Sequence, residues 1–481
     1  MNARTLSALP LLAPLLIGIA ACTTTPAYET PKLASPAPAT WKAMDGWKAG
    51  TPSDHLDRGD WWTLLEDPQL NALAERVKVD NQTIAAAEAA YRQARALVKE
   101  QRASLFPSID LSASGTRSGG GGTSSAPGAG GATSSGDTKR YTASIGASWE
   151  PDVWGRIRAS IGNANASAQA SAADLAAAQL SAQGELATNY LGLRQADIEI
   201  ALVQATVEGY QRTLKITQNR YDAGIAPRSD VLQAQTTLAN AQSSLEGLTQ
   251  TRATYENAIA VLVGQPANGF RIAADPNWSA AVPEVPTGLP STLLERRPDV
   301  AAAERRVAAA NAQIGVARAA YFPSFTLSGS GSSTASVLGD LFSASANTWS
   351  LGLSAAQTLF DAGARKAQVA QARASYDSAA ANYRQTALTA FQDVENQLTA
   401  VRVLERQYAL LETASKAADQ TEQMLLNQYR AGQVAYTDVV SAQASALSAR
   451  RDLASARVSR QTAAVALVQA IGGGWTGLGA E

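Results

Sequence analysis

The chain has 481 residues, a net charge of −1 and only 6% aromatic residues, with Ala, Gln and Ser abundant. One His and one Cys are too few for a His/Cys zinc cluster or an intrachain disulfide framework. The lack of any basic run removes the electrostatic footprint of a nucleic-acid binder.

Residues 1–21 read as a secretory signal, with Arg4 in a short n-region, an apolar run from Leu6 to Ile19 and small residues at the end. The ending Ile19-Ala20-Ala21-Cys22 resembles a bacterial lipoprotein cleavage box, in which Cys22 becomes the lipidated first residue. The alternative is an ordinary signal peptide with an incidental Cys. The covalent lipid is the only cofactor-like group expected, and no metal site is expected. No later stretch reaches the ~18 apolar residues of a transmembrane helix. Residues 22–58, rich in Pro and Thr with Trp41 and Trp47, read as an extended lipidated tether.

The first repeat spans residues 59–264. Its body begins at Asp60-Trp61-Trp62, with Asp67 as N-cap and Pro68 at the first helical position. A helix is expected from there to about Ser104, stopped by Phe106-Pro107. Between about 105 and 150 the pattern changes to strict alternation. Ile109, Leu111 and Ala113 alternate with Asp110, Ser112 and Ser114. After a Gly/Ser-rich loop, Tyr141, Ala143, Ile145, Ala147 and Trp149 resume it. Two strands of about ten residues in this pattern are the signature of a membrane β-barrel hairpin, with a soluble hairpin as the alternative. The loop lacks the Gly-Lys-Ser/Thr of a phosphate-binding loop.

From about Arg156 a helix of some 67 residues is expected, ~100 Å at 1.5 Å per residue. Leu186, Leu193, Ile200, Val207, Leu214 and Tyr221 recur every seven residues, a heptad seam. Residues 219–235 (NRYDAGIAPRSDVLQAQ) then form a tip: Gly224 ends one helix, and Ser229 is a good N-cap for the next, with Asp230 at the positive end of its dipole. Val231, Leu238, Leu245 and Ile259 carry the seam back to Gly264.

Residues 265–290 are a Pro-rich linker, and residues 291–471 repeat the unit. AAAE at 301–304 matches AAAE at 85–88, and Tyr321-Phe322-Pro323-Ser324 matches Leu105-Phe106-Pro107-Ser108. A second strand pair falls within about 322–358. A second tip, residues 427–443 (NQYRAGQVAYTDVVSAQ), repeats Gly432, Thr437 and Asp438 at an offset of 208. A tail occupies 472–481. Four membrane-type strands cannot close alone, and open edges are not tolerated in a bilayer. Two chains would give eight strands and three would give twelve, and twelve leave an open lumen. The expected fold is mainly α with a membrane β part: two tandem repeats of helix, β-hairpin, long helix and helix, sharing a barrel between chains. Phe106, Tyr141, Trp149, Phe322 and Trp349, near strand ends, suit a membrane-interface girdle or, alternatively, packing where strand meets helix.

The stretch from Gly288 to Asp299 (GLPSTLLERRPD), followed by AAAERRVAAANAQIGVARAAYFPSF (301–325), resembles the lipoprotein branch of TolC-like outer-membrane factors. Trp61-Trp62, Asp67-Pro68 and the two tips fit the same family, and the resemblance covers nearly the whole mature chain. It implies a homotrimer with a twelve-stranded outer-membrane barrel and a periplasmic α-helical barrel, lipid-anchored in the outer membrane. It also implies a periplasmic adaptor and an inner-membrane transporter of the resistance-nodulation-division type as partners, and a role as exit duct of a tripartite efflux pump. By position, Asp438 falls on an aspartate that narrows the periplasmic aperture and Ser441 on a second ring position. Tyr429 falls on a tyrosine that ties the inner hairpin to the outer one, where Ser229 and Asp230 match its partners. Two positions depart from the family: Ser441 supplies no charge, and Val434 stands where some relatives have a latch-forming Arg. The rival readings are a polypeptide-secretion duct, which shares the fold, and a periplasmic adaptor, which would carry a single hairpin. An enzyme lacks any nucleophile–base set here.

Overall fold

The computed structural model describes residues 24–33, 41–42, 58–119, 138–279, 281–283 and 297–473. The signal region with Cys22, the loop 120–137, most of the linker motif 288–299 and the end of the tail lie outside the described residues.

After a short 3-10 helix at Arg58–Leu65, the elements are α1 (Pro68–Asp80), α2 (Gln82–Ala103), β1 (Ser108–Ser118), β2 (Thr138–Trp149), α3 (Arg156–Asp222) and α4 (Arg228–Leu262). The second half gives α5 (Pro298–Ala319), β3 (Ser324–Ala335), β4 (Asn347–Ala356), α6 (Ala364–Arg430) and α7 (Tyr436–Ala470). The duplication holds residue by residue. Adding 216 carries α2 onto α5, and adding 208 carries α3 onto α6 and α4 onto α7.

The expected single helix from Pro68 to Ser104 is instead two helices. Asn81 breaks it with extended φ/ψ (−71°, 121°), its Oδ1 capping the Thr83 and Ile84 N–H groups. Its Nδ2 donates to the carbonyl of Leu262, the last residue of α4, at 2.9 Å. Arg297, 216 residues on, donates to the carbonyl of Ala470, the last residue of α7, at 3.1 Å. One position of the repeat thus satisfies the otherwise unpaired end of each returning helix.

The chain divides into two compact units, one of residues 1–30, 92–168 and 305–381 and one of residues 31–91, 169–304 and 382–481. In the first, β1, β2, β3 and β4 form one antiparallel sheet in that order, so the two expected strand pairs join through β2 and β3. Register separates the side chains cleanly. On one face lie Ile109, Leu111, Ile145, Leu327, Leu351 and Leu353; on the other, hydroxyls dominate, with Ser112 against Ser144 at 2.7 Å and Ser330 against Ser350 at 2.9 Å. Small residues pack the helices of this unit, as in the cluster of Val98, Ala164 and Ala168. The tether residue Thr24 donates to or shares contact with the carbonyls of Trp154 and Gly315, and Asn311 Nδ2 donates to the carbonyl of Pro26.

In the second unit the core gathers Trp62, Leu65, Leu70, Leu186, Tyr190, Leu193, Ile259, Leu398 and Leu467, all essentially buried. Asp67 is the N-cap of α1, accepting from the Gln69 and Leu70 N–H groups. The segment after α4 is clamped by a buried ion network. Asp197 accepts from Arg194 and Arg252 at 2.8 and 2.6 Å, and those two arginines donate to the carbonyls of Ala273 and Ile272. Of the expected heptad seam, Leu186, Leu193 and Val207 are buried, whereas Tyr221, in the last turn of α3, is 40% exposed.

Candidate functional site

The residues singled out at the tips lie in the second unit. Both long helices end in the same hydrogen-bonded turn. Gly224 (φ +72°) donates to the Tyr221 carbonyl and Ile225 to Arg220; Gly432 (φ +76°) donates to Tyr429 and Gln433 to Gln428. This is the Schellman pattern, and a side chain at either glycine would be strained by the left-handed backbone.

The starts of the returning helices correct the expectation for Ser229 and Thr437. The N-caps are Pro227 and Ala435, and Ser229 and Thr437 sit one turn position inside the helix, both exposed. The turn consumes so few residues that the chain is already extended at 227 and 435. Asp438, at the third helical position, accepts the Ala435 N–H at 3.2 Å, half of a capping box. Asp230 has no such bond to make, since Pro227 carries no N–H. The two tips are therefore chemically unequal although their sequences run parallel.

Asp438 and Ser441 are both exposed on the same face of α7, three residues apart, and the Ser441 hydroxyl donates to its own helix at the Thr437 carbonyl. Behind that face, Ala234, Tyr429, Tyr436 and Val439 form a buried cluster with Leu214, Ile216 and Val434 against it. Val434 thus contributes apolar packing. The rings of Tyr429 and Tyr436 lie 5.4 Å apart. Burial, with Tyr429, Tyr210 and Asp230 nearby, pushes the Tyr436 hydroxyl up to about 12.

The expected link from Tyr429 to Ser229 and Asp230 is not made. The Tyr429 hydroxyl is buried with no hydrogen-bond partner among the described residues, its ring being turned into the apolar cluster. The first hairpin reaches Tyr429 through Arg220, whose Nη1 donates to the Tyr429 carbonyl at 3.1 Å. Arg220 was not singled out from sequence. Its signal was its place one turn before Gly224, where a cation suits a helix C-terminus.

The expected girdle aromatics lie at different heights on the sheet. Phe106, Trp149 and Phe322 lie at the end of the sheet that joins the helices. There Trp149 Nε1 donates to the Leu105 carbonyl at 2.9 Å and Phe322 stacks on Trp154 with centroids 4.8 Å apart. Tyr141 lies toward the other end, opposite Ala335, whereas Trp349, 83% exposed, stands opposite Gly331 and so level with Ile145, midway between Tyr141 and Trp149. From Tyr141 to Trp149 is eight residues of strand, about 27 Å at ~3.4 Å per residue. No helix among the described residues is long and apolar enough to cross a membrane, and no group of acidic, His or Cys residues among them is arranged to hold a metal.

The profile of a family described as "Outer membrane efflux protein" matches residues 73–265 and 289–473, both repeats. The chain belongs to that family. Like its relatives, this efflux protein is an outer-membrane component. It is 32% identical over 472 residues to the pyoverdine export outer membrane protein OpmQ of Pseudomonas aeruginosa, covering 96% of this chain and 95% of that one. It is 30% identical over 462 residues to the toluene efflux pump outer membrane protein TtgC of Pseudomonas putida, covering 94% and 93%. Among solved structures, the outer-membrane channel OprN superposes with a TM-score of 0.84 at 31% identity, over 95% of this chain and all of that one.

Proposed function

We propose that three copies of this efflux protein close a twelve-stranded outer-membrane barrel and continue it as a helical duct, gated at the tips, through which an efflux pump expels small molecules. The sheet carries this reading. Its outer strands β1 and β4 each leave one edge unpaired and are exposed along their whole length, and its faces divide into apolar and hydroxyl-lined. An apolar face suits lipid and a hydroxyl face suits a wet lumen, and closure by further copies satisfies the edges. Tyr141 and Trp149, about 27 Å apart along β2, bracket a stretch comparable with the ~25 Å apolar band of such barrels, and Phe106, Trp149 and Phe322 would supply the girdle at the helical end.

A second feature supports several copies. Val403, Leu410 and Met424 on α6 are exposed at multiples of seven residues, a heptad stripe with no partner within the described residues of one chain. In the trimer, Asp438 would recur three times around the axis and favour cations at the aperture, with Ser441 lining the same ring. Cys22 would carry the lipid that holds the tether to the outer membrane. A cleft of about 690 Å³ between α3, α4 and α7, with the Glu199–Arg451 ion pair beside Tyr210 and Val440 and Leu447 also lining it, offers a periplasmic adaptor a mixed polar and apolar surface. An inner-membrane transporter of the resistance-nodulation-division type would complete the pump. Relatives of nearly equal similarity are named for pyoverdine and for toluene, so cargo choice belongs to the transporter more than to the duct.

The test is the mass and conductance of the purified protein. A detergent-corrected mass of three chains and discrete conducting steps in planar bilayers are expected, and Leu410→Glu is expected to shift the mass toward the monomer. A monodisperse single chain without conductance overturns the reading.

A further inference from the structure

Arg220, in the last turn of α3, reaches the end of the other long helix. Besides its bond to the Tyr429 carbonyl, its guanidinium carbon lies 4.8 Å from the Tyr429 ring centroid. That carbonyl belongs to the last turn of α6, at the negative end of its dipole. It already accepts the Gly432 N–H at 2.9 Å, which leaves its second lone pair for Arg220. Tyr429 is 3% exposed and Arg220 half-buried, so the charge-assisted bond and the cation–π contact are partly shielded from water.

The duplication makes the contact one-directional. The offset of 208 carries Arg220 onto Gln428 and Tyr221 onto Tyr429. Gln428 has no charge to offer a helix end, and Tyr221 is 40% exposed where Tyr429 is buried. The first repeat supplies the cation and the second supplies the site that receives it.

We propose that Arg220 is the clasp that holds the second tip hairpin to the first, capping the end of α6 and covering the Tyr429 ring, in place of a link from the Tyr429 hydroxyl to Asp230. This rests on the reading of the tips as the gate. Parting the hairpins breaks the hydrogen bond and the ring contact together, and uncovers Tyr429 and Tyr436. Arg220 is a positioning residue: it acts on the aperture through the hairpin it holds.

Single-channel recording of the full-length protein in planar bilayers tests the clasp. Arg220→Gln, which writes the second repeat's own residue into the first, is expected to raise opening frequency about tenfold, as loss of one charge-assisted bond implies. Arg220→Lys keeps the charge without the planar fork and is expected to fall between it and wild type. Tyr429→Phe keeps the ring and the carbonyl that Arg220 holds and is expected not to raise opening, since the buried hydroxyl it removes has no hydrogen-bond partner among the described residues. Helical circular dichroism and assembled mass are measured on each variant, and Arg220→Lys carries the test if Arg220→Gln does not assemble. Asp438→Ala separates the two readings. If it alters conductance or cation selectivity while both Arg220 variants match wild type, the clasp is overturned and the gate stands. If none of the variants changes the channel, both fall. Opening raised by Tyr429→Phe as much as by Arg220→Gln also overturns the clasp in favour of the hydroxyl link.

Discussion

The Asp67 carboxylate accepts the Tyr190 hydroxyl at 2.7 Å, deep in the helical unit, across 123 residues of chain. The same oxygen accepts Trp278 Nε1 at 2.7 Å, while the other oxygen caps the first turn of α1. One side chain therefore joins the start of the body, the long helix α3 and the segment between the repeats. Burial alone would raise the Asp67 carboxyl, but the bonds from Trp278, Leu70, Tyr190 and Gln69 together hold it below the usual carboxylate range. Burial and the Asp67 bond push the Tyr190 hydroxyl well above its ordinary value.

The sign follows from linkage. A carboxylate whose folded pKa is depressed contributes stability that is present above its unfolded value and lost as pH falls through the folded one. Asp67→Asn is expected to cost about 2 kcal/mol at pH 7, since one acceptor oxygen facing buried donors is lost. The gap to wild type is expected to begin narrowing as pH falls below about 4, the unfolded value, and to close only once pH has fallen through the lower folded value, where the wild-type carboxyl is itself protonated. Thermal unfolding followed by helical circular dichroism, titrated from pH 7 down to about pH 2, measures both. A gap undiminished across that whole range would place the cost in shape and not in charge.

The unequal caps give a second prediction. Asp438→Ala removes the bond to the Ala435 N–H and is expected to cost the first turn of α7 about 1 kcal/mol. Asp230→Ala loses only the dipole contribution, a few tenths of a kcal/mol, because Pro227 has no N–H to release. Amide hydrogen exchange in the first turns of α4 and α7 is the measurement. Protection in α7 should fall about fivefold, and that in α4 less than twofold. Equal losses in both tips would remove the asymmetry.

These tips show what a sequence makes legible. Gly224 and Gly432 announce the turns because only their φ requirement is stringent, and the strand faces announce themselves through period-two alternation. The N-caps depart from the sequence expectation for a local reason: Ser229 and Thr437 have better capping chemistry than Pro227 and Ala435, but the preceding turn sets where extended backbone ends. Asn81 reads as one polar residue in a helical pattern, and its role depends on Leu262, 181 residues away. The Arg220–Tyr429 contact, 209 residues apart, is likewise set by packing, so no local pattern predicts it.

The tether is predicted to depend on one glycine. A Cβ at Gly315 would overlap the Thr25 hydroxyl and lie 2.9 Å from its Cα, so backbone as well as side chain would have to shift. Gly315→Val is expected to lift residues 24–26 from α5 and to break the Thr24 and Asn311 contacts. Limited proteolysis should then cleave the N-terminal segment at least several-fold faster, while the melting of the helical body changes little. Unchanged cleavage would mean that the tether adjusts at no cost.

The two faces of the sheet yield the sharpest contrast. Leu351 lies mid-strand on the apolar face, 73% exposed in the single chain and paired in register with Gly329. Ser350, its neighbour, lies on the hydroxyl face with its Oγ 2.9 Å from that of Ser330. If the apolar face meets lipid, Leu351→Arg places a charge within the apolar band at a cost of up to about 2–4 kcal/mol, set by its depth, and should impair insertion into vesicles. Ser350→Arg should insert normally but reduce single-channel conductance, because its guanidinium enters the aqueous lumen and repels permeating cations. Both variants change one residue to the same charged side chain at adjacent positions, so helix stability and net charge are matched between them. Equal insertion of the two would show that the sheet does not present its apolar face to lipid. Loss of insertion in Ser350→Arg alone would invert the assignment of the two faces.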